Sequence, residues 1–372
     1  MFILEPSALQ GLITVLQAKG FTVVGPTVKD GSITFDAITS MDDLPRGWSD
    51  NQEPSRYSIV RRDDDALFAY NVGPHSWKKF LFPSRLRLYA AKRSGKGFEV
   101  QPPPKDPIPN YAFLGVRACE LQAIALQDQV FMTGAYADRN YSMFRKGMFI
   151  IAVNCVRVGG TCFCTSMNTG PHVGEGHDLA LTEIIGDGDH YLLVEVGSKR
   201  GEAVLAELPH RAAEQAEIER ARALWKSAAQ QMTRTLETQN LPQILADSFE
   251  HPHWDDVAKR CLACANCTMV CPTCFCSTME DVTDLSGDHA ERWRRWDSCF
   301  TTDFTRVAGG NIRMSTRTRY RQWLTHKLSS WVEQFGTFGC VGCGRCVTWC
   351  PVGIDIAVEA TTIRETSVIS AK

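Results

Sequence analysis

The chain has 372 residues, 44% of them hydrophobic and 22% charged, with 40 Lys and Arg against 42 Asp and Glu. That composition can build an ordinary globular core, and its length suits two domains. A formal net charge of −2 excludes a global field that would recruit nucleic acid or an anionic membrane. The outlier is cysteine, with 15 residues. An odd, clustered set in a chain this long argues against a disulfide framework and for metal ligands.

The opening residues MFILEP have no basic n-region, and Glu5 and Pro6 interrupt any apolar h-region. The longest apolar stretches, such as 148–153, fall far short of a membrane span. The expectation is a cytoplasmic chain with reduced thiols available for metal. Residues 7–19 read as a short helix, with Ser7 as cap and Leu9, Leu12, Ile13 and Leu16 at helical spacing. Strand-like runs follow at 21–28, 32–38, 57–61 and 67–72, punctuated by Pro and Gly. Segment 102–109, PPPKDPIP, is an extended connector. Residues 111–116 read as a buried strand, 119–131 as a helix and 147–155 as an apolar strand. A hairpin is expected from 178–185 and 191–196 around 186-GDGD-189. From 202 to 248 the good helix formers predominate, interrupted by Pro209 and Pro242, and packed amphipathic helices are the plain reading.

Residues 255–360 hold eleven of the fifteen cysteines. The segment 261-CLACANCTMVCP-272 spells C-x2-C-x2-C-x3-C-P, and 340-CVGCGRCVTWCP-351 spells it again. This is the bacterial ferredoxin run. Three thiolates two residues apart wrap one corner of a cubane, and the fourth, before proline, reaches across to the other cluster. The spacing therefore assigns Cys261, Cys264, Cys267 and Cys350 to one [4Fe-4S] cluster and Cys340, Cys343, Cys346 and Cys271 to a second. Zinc gives no reason for the third C-x2 step or for the C-x3-C-P ending. The insert at 272–339 is longer than a compact ferredoxin needs and contains helical patterns such as 317–331. From 291 to 327 it has nine Lys or Arg against three Asp or Glu. Pairing with internal carboxylates is the bland reading of that excess. Cations favouring a reduced cluster, or docking an acidic partner, is the functional one.

Cys119, Cys155, Cys162 and Cys164 make up a third set of four, at strand ends and in the Gly-rich loop 159-GGTCFCTSMNTG-170. A third [4Fe-4S] cluster is the preferred reading, with zinc and buried idle thiols as the alternatives. Cys274, Cys276 and Cys299 remain, and 273-TCFCSTM-279 echoes 161-TCFCTSM-167. Packing, or sulfur close to a cluster, is the expectation for those three. Neither G-x-G-x-x-G nor G-x-x-x-x-G-K-[ST] appears, so nucleotide binding lacks support. There is no isolated Ser–His–Asp or H-E-x-x-H pattern. His75, His172 and His177 read as surface or hydrogen-bonded groups.

The segments 73-GPHSWKKFLFPSR-85, 115-GVRACELQAI-124, 154-NCVRVGGTCFCTS-166, 261-CLACANCTMVCPTCFC-276, 296-WDSCF-300 and 339-GCVGCGRCVTWCPVGID-355 span nearly the whole chain. Through them it resembles the β, iron–sulfur subunit of cytoplasmic NAD(P)-linked [NiFe] hydrogenases, also called sulfhydrogenases. It is similar as well to the electron-transfer, iron–sulfur subunit of anaerobic sulfite reductase. The resemblance implies an electron carrier with no catalytic site of its own. Its partners would be hydrogenase-type catalytic subunits and a flavin NAD(P)-binding subunit. The C-x2-C pair at both ends of the chain that would hold a nickel–iron centre in that family is missing here.

The expected fold class is α+β: a mixed α/β domain over 1–200, a helical connector over 201–250 and a mainly helical dicluster, ferredoxin-like domain over 251–372. Hydrogenase electron transfer competes with the equivalent role in a sulfite reductase, and with a structural zinc or binding protein.

Overall fold

The structure, a computed structural model, describes residues 1–101 and 109–370. Its main sheet has eight strands, in the order Arg211–Ala212, Phe2–Leu4, Asp189–Val196, Leu179–Gly186, Phe149–Val153, Tyr111–Val116, Thr22–Lys29 and Ser32–Ala37. The middle pairings, from Leu179–Gly186 across to Thr22–Lys29, are parallel, and both flanks are antiparallel. Parallel strands need cover on both faces, and Phe149–Val153 is buried at every position. Helix Ala8–Ala18 sinks Leu9, Leu12, Ile13 and Leu16 into the core of this sheet.

Most expected elements are present: the first helix, the strands near 22–37, 56–61, 111–116 and 149–153, the helix Ala118–Met132 and the hairpin around 186–189. Two readings need correction. Ser7 makes no side-chain cap, because it already lies in helical backbone at φ −60° and its hydroxyl does not reach back over the first turn. Residues 67–72 are buried but form no strand. Side chains take the place of a ladder there. The Glu183 carboxylate accepts from the Leu67 and Phe68 amides at 2.6 and 2.8 Å, and Arg117 donates to the Phe68 and Tyr70 carbonyls at 2.6 and 2.7 Å. Ser49 donates to the Ala69 carbonyl at 2.7 Å and Asp50 accepts from the Asn71 amide at 2.6 Å. Of the connector expected at 102–109, residues 102–108 lie outside the described residues.

Beyond Val196 come helices Lys199–Leu205, Gln215–Gln230 and Leu241–Asp247. Pro242 sits in the first turn of the last, where a missing N–H costs nothing. Helices His253–Arg260, Thr316–Thr325 and Ile356–Ser370 then surround a second core of Trp254, Tyr320, Trp323, Leu324 and Leu328. Phe163, from the Gly-rich loop of the first half, is buried in that same core.

The insert is not wholly helical. Ser277–Thr283 and His289–Trp296 form a hairpin that pairs with Arg85–Ser94, which in turn pairs with Gly97–Gln101. Its polar sequences, STMEDVT and HAERWRRW, hide the strand signal, because only Arg294 of the fifteen residues is fully buried. This four-stranded sheet draws strands from both halves of the chain. Among the described residues no helix is long and apolar enough to cross a membrane.

Candidate metal centres

The two ferredoxin runs fold alike. The third and fifth residues of each C-x2-C-x2-C loop, Ala263 and Ala265 in the first and Gly342 and Gly344 in the second, all have positive φ, between 52° and 72°. In each loop the third residue's amide donates to the first cysteine, Ala263 N to Cys261 Sγ and Gly342 N to Cys340 Sγ, both at 3.4 Å. A short helix follows each loop, Asn266–Met269 and Arg345–Thr348.

Cys261, Cys264, Cys267 and Cys350 line one cavity, with Leu262, Phe300, Tyr320, Trp323 and Ile354 among its walls. The fourth cysteine of the second run thus joins three of the first. Its Sγ accepts from the Ile354 amide at 3.3 Å. Cys264 is the exposed member. The reciprocal set is also close together: the sulfur neighbours of Cys346 are Cys340, Cys343 and Cys271, with Cys267 of the first set beyond them. Burial raises the Cys261, Cys267, Cys340, Cys343 and Cys346 thiols, Cys340 to about 12. Neighbouring sulfurs push the same way. Such groups resist ionisation until cationic metal joins them, so the donor chemistry fits iron–sulfur clusters.

Cys119, Cys155, Cys162 and Cys164 line a second cavity together. Cys119 lies in the first turn of helix Ala118–Met132, Cys155 follows strand Phe149–Val153, and Cys162 and Cys164 come from the 159–170 loop. Burial raises all four thiols, Cys162 to about 12. Cys343 and Arg345, from the second ferredoxin run, share the lining with Arg117.

The contact between the halves is close enough to require glycine. A Cβ at Gly342 would lie 2.6 Å from the Phe163 carbonyl, and one at Gly344 would lie 2.3 Å from the Thr161 carbonyl. The Phe163 amide donates to Gly342 O at 2.8 Å, and Thr169 Oγ1 donates to Val341 O at 2.6 Å. Thr273 Oγ1 donates to Gly339 O at 2.7 Å. Both TCFC segments therefore grip the loop that begins the second run.

A buried ion pair completes this junction. Arg345 donates to Glu120 at 2.5 Å, and Glu120 also accepts from Trp77 Nε1 at 3.1 Å and the Arg117 amide at 3.3 Å. Neither partner was visible as functional in sequence, since a lone Glu and a lone Arg have no spacing to read. Two buried lysines were equally hidden. Lys78 donates to Met269 O at 3.3 Å and Lys327 to Cys271 Sγ at 3.2 Å. Cys271 and Cys274 are close neighbours, as are Cys276 and Cys299. Cys274 thus sits beside the second set, while Cys299 lies near Cys267 of the first. Of the nine basic residues between 291 and 327, five pair with carboxylates: Arg292, Arg294, Arg295, Arg317 and Arg321. For those five the bland reading holds.

Two four-cysteine sets built on the ferredoxin run are the donor arrangement that a pair of iron–sulfur clusters requires. The family described as "4Fe-4S dicluster domain" matches residues 260–354, so the chain carries two [4Fe-4S] clusters and serves iron–sulfur electron transfer. Over nearly its whole length it is similar to sulfhydrogenase 2 subunit beta of Pyrococcus furiosus, with 29% identity over 354 residues, 92% of each chain. The resemblance read from the sequence is thereby supported in its N-terminal half as well as at the clusters. No solved structure matches significantly.

Proposed function

We propose that this chain is the electron-transfer subunit of a cytoplasmic NAD(P)-linked [NiFe] hydrogenase, working beside hydrogenase-type catalytic subunits and a flavin NAD(P)-binding subunit. Cys261, Cys264, Cys267 and Cys350 hold the first cluster. Cys340, Cys343, Cys346 and Cys271 hold the second, and Cys119, Cys155, Cys162 and Cys164 hold a third. The similarity to a sulfhydrogenase β subunit over 92% of both chains supports the assembly. The observation that carries the relay is the shared lining of the two cavities. Cys346 of the second set lines the first cavity, and Cys343 of the second set lines the N-terminal cavity. The second set therefore stands between the other two, giving a through-route rather than a branch.

When bound, the clusters supply one-electron chemistry at iron. The chain's own residues set the conditions. Backbone amides of Ala263, Gly342 and Ile354 donate to sulfur, which stabilises the more negative, reduced state. Phe300, Tyr320 and Trp323 keep water from the first cavity, while exposed Cys264 marks where an electron enters or leaves. Among the described residues, no three His, Cys, Asp or Glu side chains close on a point tightly enough for a single metal ion.

The test is purification of the native complex with metal and sulfide analysis. About twelve irons per chain supports three clusters and about eight supports two. Co-purification with a nickel-binding protein and a flavoprotein supports the hydrogenase assignment. A sirohaem partner would move the chain to a sulfite reductase, and stoichiometric zinc without sulfide would end the redox reading.

A further inference from the structure

Lys78 and Lys327 are each only 4% exposed, yet among the described residues neither has an ion pair with a carboxylate. A buried ammonium without a counter-charge is costly, so an anion must lie close by. Sulfur is what surrounds them. Lys327 reaches Cys271 Sγ at 3.2 Å, Thr273 Oγ1 at 3.0 Å and Gly339 O at 3.2 Å. Its sulfur neighbours are Cys271, Cys274 and Cys340. Lys78 comes from the other half of the chain and is anchored on the Thr268 and Met269 carbonyls at 3.5 and 3.3 Å and over the Trp296 ring at 4.0 Å. It faces Cys274, Cys271 and Cys276.

The three sites differ in this respect. No lysine or arginine lines the first cavity. The N-terminal cavity has Arg117, which faces Cys155 and Cys119 but donates to the Phe68, Tyr70 and Asn154 carbonyls, and Arg345, which is paired with Glu120 at 2.5 Å. Among the described residues, only the second set has a lysine donating directly to one of its sulfurs. From this we infer that Lys327 is a positioning residue for the electron. Its fixed charge raises the reduction potential of the second cluster, so that the middle station of the relay fills first and holds the electron between the two ends. Each added electron makes the cluster more negative, and a cation on the Cys271 sulfur stabilises that state over the oxidised one. The hydrogen bond removes electron density from the same sulfur and acts in the same direction. This inference rests on Cys271 being a ligand of the second cluster.

The experiment is a redox titration of the reconstituted full chain followed by electron paramagnetic resonance, with iron content measured on the same samples. Lys327→Met keeps the stem and removes the charge, and Lys327→Arg keeps the charge. In the parent, the second cluster is expected to be the first reduced. Lys327→Met should lower its midpoint by at least about 59 mV, a tenfold change in the one-electron equilibrium, with iron unchanged. Lys327→Arg should restore most of that shift. An unmoved midpoint with full iron would overturn the inference, as would an equal shift at all clusters. Loss of four irons in both variants would also overturn it, because the lysine would then be a structural part only. Cys271→Ser separates the underlying reading. If that variant keeps every cluster signal, the ligand assignment fails, whatever the lysine does.

Discussion

Removing the Glu120 carboxylate isolates the strongest single contact between the two halves. Glu120 is 1% exposed and Arg345 6% exposed, and their ion pair measures 2.5 Å. Trp77 and the Arg117 amide also lose an acceptor when it goes. Breaking one side of a buried pair leaves the other charge stranded, at a cost of about 3–5 kcal/mol. The two orphaned donors belong inside that range rather than on top of it, because they share one carboxylate. Glu120→Ala should therefore lower the denaturant midpoint of the cluster-loaded chain sharply, read by loss of cluster absorbance. The discriminating sample is the double variant Glu120→Ala with Arg345→Met. Removing the stranded charge should recover part of the loss, giving a coupling well above the roughly 0.5 kcal/mol error of independent sites. If the double variant is as unstable as the sum of the singles, the pair is not the junction described here. Glu120→Ala within about 0.5 kcal/mol of the parent would refute the reasoning outright.

Further outcomes are expected at other sites. Cys264→Ser should cost about four irons and stop electron flow through the complex while the first half stays folded; full iron and full turnover would sink the assignment. Cys162→Ser should lose about four irons from the N-terminal site, and unchanged iron would return those cysteines to idle thiols. Glu183→Ala strands the buried Leu67 and Phe68 amides, so it should destabilise by about 1–3 kcal/mol for each, measured by denaturant unfolding. Burial, followed by the charge of Lys327, lowers His326 from 6.5 to about 4. Below pH 6.5 the unfolded chain therefore binds a proton that the folded chain refuses. The stability from this group is complete above pH 6.5 and is lost as pH falls toward about 4. His326→Phe should flatten that part of the stability profile, and an unchanged slope would exclude His326 as its source.

The ferredoxin runs were legible because a repeated spacing has a geometric reason, and the structure gathers Cys261, Cys264, Cys267 and Cys350 around one cavity. The N-terminal four were legible only as a number. Nothing in their spacing shows that Cys119 and Cys164 meet, since a strand, a helix and a loop are needed to close the distance. The false strand at 67–72 has a related cause. Its apolar run signalled burial correctly, but the bonding partners, Glu183 and Arg117, lie more than forty residues away and local pattern cannot report them. The insert hairpin was missed because its strands are polar and mostly half-exposed. Lys327 was counted within a basic stretch whose other members mostly pair with carboxylates, so charge counting averaged it away.

The exchange of fourth cysteines between the runs has a consequence for chain entropy. Cys350 returns to the cavity of Cys261, Cys264 and Cys267, so a bound cluster ties off a loop of roughly eighty residues. By the arithmetic used for disulfides, closing such a loop removes about 4–5 kcal/mol of freedom from the unfolded chain. The second set closes nearly the same span from the other side. The clusters are thus cross-links as well as electron sites, and the hairpin and helices between the runs need less core of their own than a free segment of that length would. Damage to iron, by oxygen or chelation, should release that whole segment at once rather than merely silence a relay.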